Sequence, residues 1–129
     1  MRTIILNDGK LEEKEINNTL EELQGIVGGY IEMPYLSKVF MENDIDLVIN
    51  EEGKFIDGLK PQIAVVGKET ASILDIVYGN CVFVSHDDMG NTVGLNDEQI
   101  KVVVDELKMS VVLMNQNDNV QYVVKALFI

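Results

Sequence analysis

Apolar residues along this chain come in short blocks, each closed by a turn signal, and the spacing within a block predicts its element. Thr3 to Leu6 is an apolar run ending at Asn7-Asp8-Gly9, and Asp-Gly is a strong hairpin signal. Leu11 to Ile16 is then the returning strand, with its charged residues on a solvent face. Asn17-Asn18-Thr19 opens a helix, Asn18 and Glu21 having capping-box spacing. Leu20, Leu23 and Val27 lie on one stripe, and Gly28-Gly29 stops the helix. Tyr30 to Met33 is extended up to Pro34, and Ser37 to Asn43 has no decisive pattern. Ile45 to Ile49 is a strand running into Asn50-Glu51-Glu52-Gly53, a second hairpin signal, with Lys54-Phe55-Ile56 as its return. Asp57 to Pro61 reads as loop, and Glu69 to Leu74 as a short helix.

Further on, Cys81 to Ser85 is a strand, followed by a turn over His86 to Gly90 and a short return through Thr92-Val93. Asn96 with Gln99 is another capping-box pair, with Asp97 and Glu98 in the first helical turn. Ile100, Val103, Val104 and Leu107 recur at i, i+3, i+4 and i+7, which predicts one buried face. Two closing strands, Val111 to Met114 and Val120 to Phe128, flank the polar loop Asn115-Gln116-Asn117-Asp118-Asn119. The order predicts an α+β fold: a mostly antiparallel sheet of hairpins with two principal helices, about 19–27 and 97–108. Val120 to Ile129 turns apolar on both faces towards its end, which a strand does when it is central in a sheet or covered by another chain. A homodimer contact through Val120 to Ile129 is one expectation.

Length and charge narrow the class. A chain of 129 residues with 47% hydrophobic content is enough for one domain with its own core, spanning 1–129. The net charge is -12, which argues against direct nucleic-acid binding and against an anionic membrane surface. No apolar stretch is long enough to span a membrane, and the first residues lack the apolar core of a signal peptide. A cytoplasmic location follows as an expectation, with Cys81 kept as a thiol. With one Cys there is neither an internal disulfide nor a multi-Cys zinc site.

Asn18-Thr19-Leu20, Val27-Gly28-Gly29-Tyr30-Ile31-Glu32, Asn50-Glu51-Glu52-Gly53-Lys54, Gly90 and Leu95 to Ile100 occur in an order that resembles a known family. This family, domain of unknown function 3846, comprises small phage, prophage and plasmid proteins, and the resemblance covers roughly residues 1 to 107. The segment from about Met109 onward lies outside it. The resemblance implies an accessory protein of a mobile genetic element. The family has no assigned activity, so it transfers no catalytic residue.

The candidate chemistry is sparse. Gly28-Gly29 follows a helix, whereas phosphate loops put their glycines before one. Cys81 and His86, the one thiol and the one imidazole, stand five positions apart on a strand, hence on opposite faces and roughly 16 Å apart. An EF-hand frame around Gly90 finds an acid only at Asp87 among its first three acidic positions. No catalytic residue, cofactor site or metal site is expected. Glu12, Glu13, Glu51, Glu52, Asp87 and Asp88 form acid pairs, and adjacent acids on a strand point to opposite faces. Tyr30, Tyr35, Tyr78 and Phe83 are either core aromatics or stacking groups.

Two functions fit this picture. One is a non-enzymatic accessory protein that binds a host protein with a basic surface, in its sharpest form an anti-defence inhibitor imitating DNA. The residues expected to carry that contact are Glu12, Glu13, Glu51, Glu52, Asp87, Asp88 and Tyr30. The alternative is a small-ligand binder, such as an oligomeric sponge for a nucleotide immune signal. Mimicry needs a dense one-sided row of carboxylates; residues 1–60 sum to -7 and residues 61–129 to -5, a spread that neither supports nor excludes such a row after folding.

Overall fold

The computed structural model describes residues 1–115 and 119–129. The chain begins with the hairpin β1 (Arg2–Asn7) and β2 (Lys10–Glu15), joined by Asp8 and Gly9, both at positive φ, as a tight hairpin turn demands. Helix α1 (Leu20–Val27) follows, then a two-residue strand β3 (Ile31–Glu32), helix α2 (Lys38–Glu42) and strand β4 (Ile45–Asn50). A 3-10 turn over Gly53–Phe55 leads to β5 (Pro61–Val66) and β6 (Ile73–Tyr78). Next come β7 (Cys81–His86), β8 (Thr92–Val93), α3 (Asp97–Glu106), β9 (Ser110–Asn115) and β10 (Val120–Phe128).

The strands form two sheets. One has the order β2-β1-β7-β4-β3, with β8 also paired to β7, and the other runs β6-β5-β10-β9. Every pairing is antiparallel except that of β5 with β10. The α+β expectation holds, in a mostly antiparallel form.

Side-chain rows explain why β7 is so apolar. Register places Ile4, Phe83 and Leu47 side by side on one face, and Ile5, Val82 and Val48 on the other. The first row enters a core shared with Ile63, Val65, Val77 and Leu127 of the second sheet, with Phe40 and Val103 of the helices, and with Leu107, the C-cap of α3. Phe40 meets Phe83 edge to face, ring centroids 5.6 Å apart. The second row packs against Leu23 and Val27 of α1. A third cluster, Ala64, Val66, Val124 and Ala126, lies within the second sheet, and the apolar residues packed on it all come from β9 and β10.

Several expectations are corrected. The N-cap of α1 is Thr19, which accepts from the Glu22 N–H, while Asn18 instead donates to the Thr92 carbonyl. Leu20 is exposed, because the helix rests on Leu23 and Val27, a turn deeper. In α3 the capping box of Asn96 and Gln99 is present as read, but Val104 falls on the open flank and only Val103 and Leu107 are fully buried. Ser37 to Asn43 resolves into a helix capped by the Ser37 hydroxyl.

Asn50 to Gly53 makes no hairpin. Both edges of β4 are already taken, by β3 and β7, and the chain turns through the 3-10 segment towards β6. A Cβ at Gly53 would lie 2.7 Å from the Tyr78 carbonyl oxygen, so glycine permits that close contact. Residues 69–74 form no helix: Ala71 has positive φ and β6 begins at Ile73. Strand β10 pairs with β9 on one side and, through Lys125 to Phe128, with β5 on the other. Its two apolar faces thus reflect a central position in the sheet. Of the polar loop expected at Asn115 to Asn119, residues 116–118 lie outside the described residues.

Candidate functional site

The candidate site lies at the β3 edge of the first sheet. Pro34 ends β3 after two residues, and Met33 to Leu36 runs extended to the Ser37 cap of α2. On the neighbouring strand, Asn50 is buried and holds two pieces of backbone. Its amide donates to the Val27 carbonyl at 3.1 Å, and its side-chain oxygen accepts from the Glu52 N–H at 2.8 Å. The Glu51 N–H in turn donates to the Tyr30 carbonyl at 2.8 Å. One buried amide therefore ties the end of α1 to the turn carrying Glu51 and Glu52, and brings Tyr30 beside them. Sequence reasoning missed Asn50 as an organiser. It read the residue only as the start of a turn, and nothing local distinguishes a turn Asn from a buried bridging one.

Two clefts flank the Met33 to Leu36 ridge and share Pro34 and Leu36. The first, of about 160 Å³, is lined among others by Glu32, Glu51, Lys54, Phe55, Asp75 and Tyr78. Its single cation is committed: Lys54 Nζ lies 2.5 Å from Asp75 Oδ1. The second, of about 120 Å³, includes Met33, Tyr35, Phe40, Met41, Asp46 and His86. His86 Nδ1 is 2.8 Å from Asp46 Oδ2, and its Nε2 is 3.4 Å from Asp44 Oδ1. The hydrogen bond to Asp46, aided by the charges of Asp46, Asp44 and Asp87, raises the His86 pKa above its ordinary value.

Large apolar side chains stand out from this end of the molecule. Tyr30 is 71% exposed, Tyr35 65% and Phe55 86%, with Met33 and Met41 also exposed. Around them, Glu32, Glu51 and Glu52 have no cation within 4 Å among the described residues. Residues 30–57 contain seven acids against Lys38 and Lys54, and both lysines are ion-paired.

The seven residues expected to meet a partner fall into three places. Tyr30, Glu51 and Glu52 come together at the β3 edge. Glu12 and Glu13 lie on β2, the opposite edge of that sheet, four strand steps or about 19 Å away. Glu13 is bound by Arg2 at 2.6 Å, and Arg2 also holds Asp97. Asp87 and Asp88 sit at the β7–β8 turn, where Asp87 accepts from the Met89 and Asn91 N–H groups and from the Asn91 amide. Those bonds, chiefly the ones from Asn91, lower the Asp87 pKa. Phe55 and Met41 were not singled out, since only the fold shows that they miss the core, and Tyr35, read as either core or stacking group, is exposed. Phe83 is core, as one of the two readings had it.

Cys81 is fully buried in the main core, its thiol donating to the Gly79 carbonyl, and burial pushes its pKa up to about 12. His86 belongs to the opposite face of β7, so the two do not form a dyad. Among the described residues no group of three His, Cys, Asp or Glu is placed to hold a metal ion. No helix among the described residues is long and apolar enough to cross a membrane.

These features define a two-sheet α+β protein with an acidic, aromatic-studded edge. The chain belongs to the family described as domain of unknown function DUF3846, which it matches over residues 1–108. No curated protein and no solved structure matches it.

Proposed function

We propose that this protein is a non-enzymatic accessory factor of a phage or other mobile element that acts in the host cell cytoplasm by binding a host protein with a basic surface. The contact is the β3 edge. The observation that carries this reading is the convergence there of Tyr30, Tyr35 and Phe55, all more exposed than buried, with Glu32, Glu51 and Glu52, whose carboxylates have no ion-pair partner among the described residues. Aromatic anchors inside a polar rim are how protein interfaces concentrate binding energy. The acidic rim selects a basic partner and speeds its approach. The mobile-element context rests on the family resemblance, and opposition to host defence is the role such a context favours.

The acids at this edge favour anchored recognition over phosphate mimicry. B-DNA carries one charge per about 1.7 Å of axis, whereas the acid pairs here lie on opposite sheet edges and at a hairpin tip. The nucleotide-sponge alternative has less behind it: the larger of the two β3-edge clefts is lined by Glu32, Glu51 and Asp75 with its lysine paired, and Lys60, which lines two wider clefts of about 320 and 310 Å³, lies 3.4 Å from Asp8 Oδ1. The test is affinity capture from host lysate with three baits. The native protein and a Glu12→Gln control should retain the same basic protein, and Phe55→Ala should lose it. Equal capture by all three would refute the assignment of the β3 edge.

A further inference from the structure

Among the described residues five strands have a partner on one side only, namely β2, β3, β6, β9 and the two-residue β8, and they are not equally guarded. An open edge offers a row of unpaired backbone groups, which proteins blunt with charge, brevity or cover. Strand β2 is blunted by charge, with five of its six residues Lys or Glu. Strand β3 is two residues long. Strand β6 is met by the 3-10 turn at Tyr78 and carries Asp75, paired with Lys54. Strand β9, Ser-Val-Val-Leu-Met-Asn, has six residues, no charge, no proline and no register shift against β10. Among the described residues nothing pairs with its outer side. Val112 is 60% exposed and Met114 62%, and Val123, opposite Val112 on β10, is exposed as well.

We infer that β9 is the docking edge for a second copy of this chain, pairing antiparallel with its own counterpart about a two-fold axis. Charge identifies the occupant. Residues 108–129 contain Lys108 and Lys125 against one acid, Asp118, a net of +1, so the rest of the chain carries -13. Two copies repel each other over most of their surfaces and meet without that penalty here. A strongly basic partner, by contrast, gains nothing from an uncharged strand flanked by lysines. Register follows from geometry: directly opposed residues of an antiparallel pair share a face, so the two-fold must pass through a residue. Centring on Val112 opposes Val111 to Leu113 and Ser110 to Met114, matching all five residues from Ser110 to Met114 in one continuous ladder. Val112, exposed in one copy, then lies beside Val112 of the other, and Met114 beside its Ser110.

The experiment is sedimentation of the native protein, Val112→Lys, and Leu74→Lys as a control at the β6 edge, with circular dichroism to confirm that each is folded. The native chain and the control should run at twice the 14.4 kDa chain mass, and Val112→Lys at the single-chain mass. In a second variant, Val112→Cys, mild oxidation should give a covalent dimer, since self-opposed strand residues lie within disulfide reach and Cys81 is buried. A native protein that remains monomeric at the concentration of an NMR sample overturns the inference. So does a dimer that survives Val112→Lys, which would place the contact on another surface, or open-ended assembly in place of a dimer.

Discussion

The β3 and β9 strands are both sheet margins held by one antiparallel neighbour, yet they differ in chemistry. The β3 edge is short, acidic and set with aromatics that project outward, so a second strand finds little ladder to extend and a basic surface finds charge and anchors. The β9 edge is longer, uncharged and aliphatic, so it offers a ladder and little else. In the proposed reading, one edge serves recognition through side chains and the other continuation of the sheet through backbone. The first lies within the part of the chain that matches the family, and the second lies just beyond it.

The largest test of this contrast asks whether the β9–β10 hairpin is integral or appended. Leu127 is fully buried in the core shared by both sheets. Leu127→Ala should cost about 2–5 kcal/mol in chemical denaturation. A cost near zero would make the hairpin an attachment. Next in size is Asn50→Ala, which leaves the Val27 carbonyl and the Glu52 N–H without their partner. A loss of about 1–3 kcal/mol is expected, together with weaker partner capture, because the turn holding Glu51 and Glu52 loosens.

Much of the first sheet was legible in the sequence, and the losses have physical causes. The Asp8-Gly9 hairpin, the Asn96 and Gln99 capping box and the Cys81 strand were readable because each depends on neighbours in the chain. The second sheet was not. Strand β5 follows a loop through Pro61, and β6 was partly hidden by a helical reading of Glu69 to Leu74, which the positive φ of Ala71 forbids. The pairing of β5 with β10 joins residues some sixty positions apart, for example Ile63 with Lys125, and no local pattern encodes it. The aromatics at the β3 edge were visible as residues but not as surface, since exposure is a property of the packed fold.

A smaller effect concerns charge at the β3 edge. Reversing Glu51 and Glu52 to Lys should slow partner association and flatten its salt dependence, with less than about 1 kcal/mol lost per exposed ion pair. Dimer mass should not change. The smallest is the titration of His86. Its folded pKa is raised by Asp46, so the pair's contribution to stability is complete below the unfolded value near 6.5 and is lost as pH rises through the folded value. Asp46→Asn should move the His86 midpoint down in an NMR titration. An unchanged midpoint would mean that the Asp46 hydrogen bond is not what holds the proton.

The most direct measurement of the central claim is partner affinity by calorimetry for Tyr35→Ala with Phe55→Ala, set against Val112→Lys. The double aromatic variant should lose at least tenfold in affinity, about 1.4 kcal/mol. Val112→Lys should bind with native affinity per chain. Native affinity in the aromatic variant, or loss of binding only in Val112→Lys, would contradict the assignment of recognition to the β3 edge.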